Sequence, residues 1–516
     1  MQRDLQDDRQ AQPPVPWIEP KARINGRLRR PVSRLGLSQC PPQLLVSVIA
    51  ERYRSNAMST IEPAILPNGL PLYRIAVPGT RATTILVAFD AGARTETAPE
   101  NGIAHFLEHL VFKGGEKYPT YRDVNHAAER IGAVLNAYTS HDLVAFHITA
   151  RAERALEAAD LLTDFAARPR IDPDELDRER GVVMQEIARA NDQPAMIAEH
   201  LIDQAAFGDH PLGRPVLGTT EHLRETFTRD GVIAFRNRRW SPERGAAFVV
   251  GNLDSLAIAS GGGDGGGGHS GGGGGGRGAS GIGGGGGAGS GGAAGSGGAG
   301  ELEELFDRFP RQPAPAASEP ARAFSPRTMV HERDSSQSHL RMSYRPALEV
   351  SDRRQRAALL IYSTLLGGSM GSRLFDEIRE QRGLAYSVHS SGHAYADVPV
   401  LQISAGLDSS KCLEAYSRMR EIVTELRVHG PSEAEVERAR AYVAGARAIA
   451  FEHSATVARH AAQQTILYGE EIDLDATIAL IDGISRQEVT EVAARVTDEL
   501  SLACVGPHTV KELESV

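Results

Sequence analysis

Residues 101–114 read NGIAHFLEHLVFKG and carry a helical pattern from about 102 to 112. His105 and His109 lie four residues apart, so both imidazoles share one face of the predicted helix and can reach a single metal ion. Glu108 shares that face and could take a proton from a water molecule at the metal. The alternative, from these residues alone, is a buried helix whose two histidines are satisfied within the core.

The 516-residue chain has the composition of a globular protein, with 41% hydrophobic and 24% charged residues. Its formal charge is −10 and its pI is about 6.0, which argues against non-specific nucleic-acid binding. The sequence contains no apolar run of about 18 residues, so we expect no membrane span.

Cysteine is scarce. Cys40, Cys412 and Cys504 are too widely spaced for a disulfide framework or a cysteine-based zinc site, and they predict a reduced, cytoplasmic protein.

Residues 1–57 are rich in Pro and Arg, and we predict a mostly disordered extension. The alternative is a transit peptide, because residues 21–38 are Arg-rich and contain Ser.

The first folded module is predicted at residues 58–255. An Asn-Gly pair at Asn68 and Gly69, between apolar flanks, predicts a hairpin turn. A β-rich run at 83–90 predicts a buried strand. Further strands are predicted at 135–149 and 247–251, and helices at 102–112, 120–131, 151–167 and 173–190.

A glycine tract separates this module from a second one. Residues 261–300 hold 27 of the 54 glycines, so we predict a flexible linker at 256–322, with His269 as an isolated histidine inside it. The second module is predicted at 323–516 and repeats the mixed order of strands and helices, which suggests an internal duplication. Its strands are predicted at 338–344 and 400–406, and its helices at 357–366, 371–380 and 431–442.

Residues 101–114 resemble the zinc-site segment of the pitrilysin family of inverted-motif zinc peptidases, in particular its branch similar to the mitochondrial processing peptidases. In that family the third metal ligand is a glutamate 77 residues after the second histidine, and Glu186 stands at this distance from His109. The family also has a supporting glutamate seven residues earlier, where this chain has Glu179. Seven residues are two helical turns, so both glutamates share a helix face.

The resemblance implies a role for each matched residue. His105, His109 and Glu186 would bind one Zn²⁺ per chain. Glu108 would be the general base and then the proton donor to the leaving amine. Glu179 would orient a metal ligand through a hydrogen bond.

Two further segments match the family. Residues 135–140, LNAYTS, resemble its strand beside the zinc, which implies that Asn136 and Ala137 bind an extended substrate. Residues 371–388 resemble its carboxyl-terminal signature, an arginine followed seven residues later by a tyrosine, here Arg379 and Tyr386. By resemblance these two would bind substrate and stabilise the oxyanion. The alternatives are a turn residue for Asn136, a surface arginine and a core tyrosine.

The implied fold is α+β, with two homologous domains that each place helices against a mostly antiparallel sheet and together enclose a chamber. The family continues into a helix where the glycine tract begins here, so residues 301–309 are interpreted as a displaced remnant of that helix. The implied function is a zinc metalloendopeptidase acting on peptides or unfolded segments, often as a homodimer. Because one chain holds both signatures, the sequence requires no separate active partner. The alternatives are a non-catalytic scaffold similar to processing peptidases in respiratory complexes and a peptidase dedicated to maturing one peptide.

Overall fold

The structure is a computed structural model, and it describes residues 59–257 and 298–516. The predicted extension at 1–57 and most of the glycine tract, including His269, lie outside the described residues. The predictions for those segments therefore stay predictions.

The amino-terminal half is built on a six-stranded sheet. Its strands are β1 (Ile61–Ile65), β2 (Pro71–Ala76), β3 (Ala82–Phe89), β4 (Val134–Thr139), β5 (Val144–Arg151) and β6 (Gly245–Gly251). They lie in the order β1-β2-β6-β3-β5-β4, with β2 parallel to β6 and the other described neighbours antiparallel. Strand β4 is therefore an edge strand.

The helices of this half pack on one face of the sheet or extend from it. They are α1 (Ile103–Val111), α2 (Tyr121–Arg130), α3 (Ala155–Ala167), α4 (Pro173–Asp192), α5 (Pro194–Phe207), α6 (Arg229–Arg239), α7 (Asp254–Ala257) and α8 (Gly298–Phe306). The predicted Asn-Gly hairpin joins β1 and β2, and Gly69 adopts a positive φ of 91° there, which favours glycine.

The carboxyl-terminal half is built on a five-stranded sheet. Its strands are β7 (Thr328–Glu332), β8 (Gln337–Tyr344), β9 (Ala385–Ala394), β10 (Pro399–Asp408) and β11 (Ser501–Gly506). Its helices are α9 (Arg353–Ser363), α10 (Cys412–His429), α11 (Glu433–Ala450), α12 (Ser454–Ala462), α13 (Leu474–Asp482), α14 (Arg486–Arg495) and α15 (Val510–Glu514).

The two sheets repeat one topology. The order β7-β11-β8-β10-β9 reproduces β2-β6-β3-β5-β4, and in each case the first pair is parallel and the following pairs are antiparallel. The predicted α+β class with two similar, mostly antiparallel domains is thus confirmed. The repeat also makes β9 the counterpart of the edge strand β4.

Each half places a helix on the other half's sheet. Val457 and Ala461 of α12 pack on Leu86 and Phe248, on the face of the first sheet turned away from its own helices. In return, Ile202 of α5 packs against the second sheet. Because both faces of each sheet are covered, β3 and β11 consist almost wholly of buried residues.

The carboxyl end of the predicted linker differs from the prediction. Residues 298–306 form α8, and Leu302, Phe306 and Phe309 are fully buried in the core of the amino-terminal half. The Asn68 side-chain amide donates to the Phe306 and Phe309 carbonyls, at 3.0 Å each. A helix is thus present where the remnant at 301–309 is expected, and its apolar burial makes it part of the first domain, whereas the predicted linker bounds of 256–322 include it.

Two smaller differences concern local geometry. The predicted strand at 135–149 is two strands joined by a tight turn at 140–143. The predicted helix at 371–380 is a wide π-helical turn, Phe375–Gln381. Among the described helices, none is both long and apolar enough to span a bilayer.

Candidate metal centre and active site

Helix α1 is fixed at its amino terminus by Glu96. This buried carboxylate accepts hydrogen bonds from the backbone amides of Gly102 and Ala104, both at 2.8 Å, and from the Asn101 side chain. Gly102 has a φ of 95° and packs against Gly218, so a side chain would be strained there. Burial raises the pKa of Glu96 to about 8, although the amides of Ala104 and Gly102 oppose this.

Three predicted ligands converge where α1 meets α4. The donor atoms of His105, His109 and Glu186 all lie within 4.8 Å of one another. The Glu186 carboxylate oxygen lies 3.8 Å from His105 Nε2 and 3.4 Å from His109 Nε2. Two imidazole nitrogens and one carboxylate oxygen form the donor set of a catalytic zinc site, which also needs an open fourth position. The residues present therefore fit a zinc ion.

Glu179 lies outside the three-ligand group and supports it through a contact with His109. It is almost fully buried, accepts a hydrogen bond from His109 Nδ1 at 2.9 Å, and forms an ion pair with Lys113. Burial opposes ionisation of Glu179, but the hydrogen bonds from His109 and Lys113 outweigh it and lower its pKa. A carboxylate at Nδ1 fixes the tautomer that leaves His109 Nε2 free to bind a metal.

The two histidines differ in their electrostatics. Burial, together with the charge of His109, lowers the pKa of His105 to about 4, so this ring is neutral at pH 7. Burial also lowers the pKa of His109, but the hydrogen bond to Glu179 and the charge of Glu186 outweigh it and raise the pKa.

Glu108 lies beside the ligand group without belonging to it. Its carboxylate accepts a hydrogen bond of 2.5 Å from the Thr139 hydroxyl at the end of β4. Burial raises the pKa of Glu108, and the bond from Thr139 only partly offsets this. A carboxyl group with a raised pKa, held by a second element, suits a residue that takes and then returns a proton.

The edge strand β4 presents its open side near Glu108. Asn136 is exposed, and its side-chain oxygen accepts a hydrogen bond of 2.8 Å from the Ala137 amide. The Ala137 amide therefore points to the free edge, away from β5. Within residues 59–257 and 298–516 the Asn136 side-chain NH₂ has no acceptor, so the strand can accept an added extended chain.

A cavity of about 510 Å³ lies next to His105 and Glu108, and both halves line it. The amino-terminal half contributes residues of β4, α5 and the 215–217 segment, while the carboxyl-terminal half contributes the end of β9 and part of β10. The lining residues are His105, Glu108, Tyr138, Thr139, His141, Met196, Glu199, His200, Asp203, Pro215, Val216, Leu217, His393, Tyr395 and Gln402.

The predicted Arg379 and Tyr386 do not line this cavity. The Arg379 guanidinium lies over the Phe375 ring at 4.8 Å, and Tyr386 is 83% exposed. Seven residues of extended strand, about 23 Å, separate Tyr386 from His393, which does line it. The structure thus groups the histidines, Glu108, Glu179 and Glu186 and leaves the Arg/Tyr signature on a separate surface.

Two family models match the chain. Residues 75–220 match the one described as insulinase, peptidase family M16, and residues 300–443 match the one described as the peptidase M16 inactive domain. Together they span more than half of the sequence. The chain belongs to peptidase family M16. The first match contains α1 and α4, and the second contains most of the carboxyl-terminal sheet.

Relatives of this M16 chain agree in length. An uncharacterized zinc protease from Streptomyces coelicolor is 28% identical over 89% of this chain and 92% of its own. An uncharacterized zinc protease from Mycobacterium leprae is 29% identical over 87% of this chain and 92% of its own. The crystal structure of a peptidase M16 inactive domain from Pseudomonas fluorescens covers 87% of this chain and 98% of its own, with a TM-score of 0.73 and 17% identity, which shows the shared fold.

Several residues around the site were missed from the sequence. Lys113 and Thr139 act through contacts that join distant segments, and Glu96 bonds Asn101, Gly102 and Ala104 across a turn, so no motif in the sequence marks their partners. His141 also lines the cavity, although it belongs to no motif that the sequence shows. The one available signal was the position of Thr139 within the matched strand segment.

Proposed function

We propose that this M16 chain is a zinc metalloendopeptidase that hydrolyses peptides or unfolded polypeptide segments. The observation that carries the proposal is the convergence of His105, His109 and Glu186 within 4.8 Å, with Glu108 on the adjoining cavity. The zinc protease names of the relatives support zinc as the metal. We propose one ion per chain, since the described residues offer one such group.

Zinc held by these three residues would lower the pKa of a water molecule and polarise the substrate carbonyl. Glu108 takes a proton from the attacking water and later donates it to the leaving amine. Thr139 keeps the Glu108 carboxylate in place by donating to it. Glu179 holds the His109 ring by its Nδ1 atom.

The substrate would bind as an additional strand beside β4. The Ala137 amide and the Asn136 side chain lie on that free edge and can bond the main chain of a peptide. Main-chain recognition demands an extended segment and places no requirement on a particular side chain. This supports peptides or unfolded segments as the substrate class, and a folded protein would not fit the cavity.

We further propose that the active form is a homodimer. Arg379 and Tyr386 are exposed and lie outside the cavity of their own chain. A second copy could bring the same two residues to the zinc site, where they would grip substrate carbonyls and stabilise the oxyanion.

The cellular setting is also a proposal. Cys412 and Cys504 are free, and cysteine is scarce, which supports a reducing, cytoplasmic location. The net charge of −10 supports a protein without a nucleic-acid partner. We propose no membrane partner, because the described helices include no spanning candidate.

A cleavage assay on a mixed peptide library, with cut sites mapped, tests the proposal. We expect internal cuts that a chelator abolishes and added zinc restores. Zinc binding without cleavage would support the non-catalytic scaffold instead. Cuts in one narrow set of peptides would favour a dedicated maturation peptidase.

A further inference from the structure

The two β-hairpins that meet at the cavity have equivalent tips. The turn at 140–143 joins β4 to β5, and its closing hydrogen bond, Ser140 N to Leu143 O, is 2.8 Å long. The turn at 395–398 joins β9 to β10, and its closing bond, Tyr395 N to Val398 O, is 2.9 Å long. The third residue is aspartate in both turns.

A single arginine binds both of these aspartates. Arg94 is 3% exposed, and its guanidinium lies 3.3 Å from Asp142 Oδ1 and 2.7 Å from Asp397 Oδ1. It also donates to the Glu319 carbonyl at 3.0 Å. Asp142 also accepts a hydrogen bond of 3.3 Å from the Ala396 amide, so the 140–143 turn contacts the 395–398 turn directly.

Arg94 itself is held rigidly in the zinc-binding half. The backbone of the turn at 92–94 donates three hydrogen bonds to carbonyls of the 140–143 turn. A Cβ atom on Gly92 would lie 2.4 Å from the Ser140 carbonyl oxygen, so the close approach requires glycine. Arg94 is therefore anchored on the first hairpin, and its ion pair with Asp397 fastens the second hairpin to it.

The fastened turn forms one wall of the cavity. Tyr395 begins it, and its ring contacts His141 at 5.5 Å and His393 at 5.2 Å, measured between centroids. All three side chains line the cavity beside Glu108. The position of the carboxyl-terminal wall relative to Glu108 thus depends on the turn that Asp397 holds.

We propose that Arg94 is a positioning residue that binds Asp142 and Asp397 together and so sets the peptide-binding shape of the cavity between the two halves. The proposal rests on the peptidase function proposed above. It assigns Arg94 no contact with the reacting atoms. Its loss should weaken peptide binding and leave the metal and the proton transfer in place.

Asp397→Asn is the cleanest test, because asparagine keeps an acceptor for the Ala321 amide and removes the charge that pairs with Arg94. We expect KM to rise on the order of tenfold, with kcat and zinc content close to those of the wild type. The matched control is Asp408→Asn, at the other end of β10, whose side chain bonds only to Ser410 among its described contacts. Assays run well below the unfolding midpoint separate positioning from a loss of stability.

A binding measurement keeps this result separate from the peptidase proposal. In a Glu108→Gln background, adding Asp397→Asn should lower the affinity for fluorescein-labelled casein by a similar factor. Adding Arg94→Lys to that double variant should lower the affinity little further, because the two residues act through one contact. Unchanged KM and unchanged casein affinity in Asp397→Asn would overturn the positioning role. If the wild type does not cleave peptides, only the peptidase proposal is overturned. The casein affinity of the Asp397→Asn protein still tests the positioning role of Arg94.

Discussion

The two halves share a strand order but not a chemistry. In the first half, α1 and α4 bring two histidines and two glutamates together. In the second, α9 follows β8 as α1 follows β3, yet its sequence, RRQRAALLIYS, contains no histidine, glutamate or aspartate. The fold therefore depends on apolar patterning that both halves keep, whereas the metal site depends on a few polar residues that only the first half has.

The edge strands show the same contrast. Strand β4 ends at Thr139, which bonds Glu108, so its free edge lies beside the metal group. Its counterpart β9 begins near Tyr386, which is exposed and outside the cavity. One edge thus lies beside the metal-ligand group of its own chain, and the other carries the exposed Tyr386.

The largest expected effect comes from removing a metal ligand in the first half. His105→Ala should lose zinc and all chelator-sensitive cleavage, because affinity falls well beyond the 10- to 100-fold effect of a supporting residue. His126→Ala, an exposed histidine of α2, should keep both. Metal analysis after gel filtration measures this, and a zinc-loaded His105→Ala protein would contradict the assignment.

The second-largest expected effect concerns α8 and tests whether this helix belongs to the core of the first half. Phe306→Ala should lower the free energy of unfolding by about 3–5 kcal/mol, because a fully buried aromatic ring leaves a cavity. Ile449→Ala, on the exposed side of α11, should change it by less than about 0.5 kcal/mol. Denaturant unfolding compares them. Equal stabilities would mean that α8 does not belong to the core.

The sequence predicted the repeated helix and strand pattern because burial imposes local periodicity. The pair His105 and His109 was predictable from spacing on one helix, and Glu186 only through family resemblance, since no local rule links residues 77 apart. The helix at the end of the linker is predictable in part, because Leu302, Leu305, Phe306 and Phe309 follow helical apolar spacing and 301–309 match a displaced helix remnant. The sequence does not show that this helix packs in the first domain, so the predicted bounds leave it in the linker.

Contacts between the halves were beyond prediction for a physical reason. Arg94 meets Asp397 only after segments of both halves have packed. A sequence pattern cannot show which buried charge will face which partner. The wide turn that carries Arg379 shows the same limit, since local composition favours a helix and packing changes its geometry.

A third prediction tests whether Tyr386 of one copy acts at the zinc site of another copy. Tyr386→Phe should lower kcat about 10²–10³-fold if it stabilises the oxyanion. If a partner copy supplies it, mixing Glu108→Gln with Tyr386→Phe should restore about a quarter of wild-type activity through mixed dimers.

The matched control for that mixture is Tyr386→Phe combined with the double variant Glu108→Gln/Tyr386→Phe. It contains no Tyr386, so we expect no recovery. Failure of the first mixture to recover, while mixed dimers are present by native mass spectrometry, would place the tyrosine's action within one chain.

The smallest effect concerns the support of His109. Glu179→Gln should weaken zinc affinity about 10- to 100-fold, because His109 Nδ1 loses its carboxylate partner. Glu175→Gln, one turn earlier on α4 and paired with Arg178, should leave the affinity unchanged. Competition with a chromogenic chelator measures both. An unchanged affinity in Glu179→Gln would remove its supporting role.

The central claim is that His105, His109 and Glu186 hold the metal while Glu108 moves the proton. Metal content and peptide cleavage measured on the same sample of Glu108→Gln test it most directly. We expect one zinc per chain, as in the wild type, with cleavage reduced about 10²–10⁴-fold. A zinc-loaded Glu108→Gln protein with full cleavage activity would contradict the account.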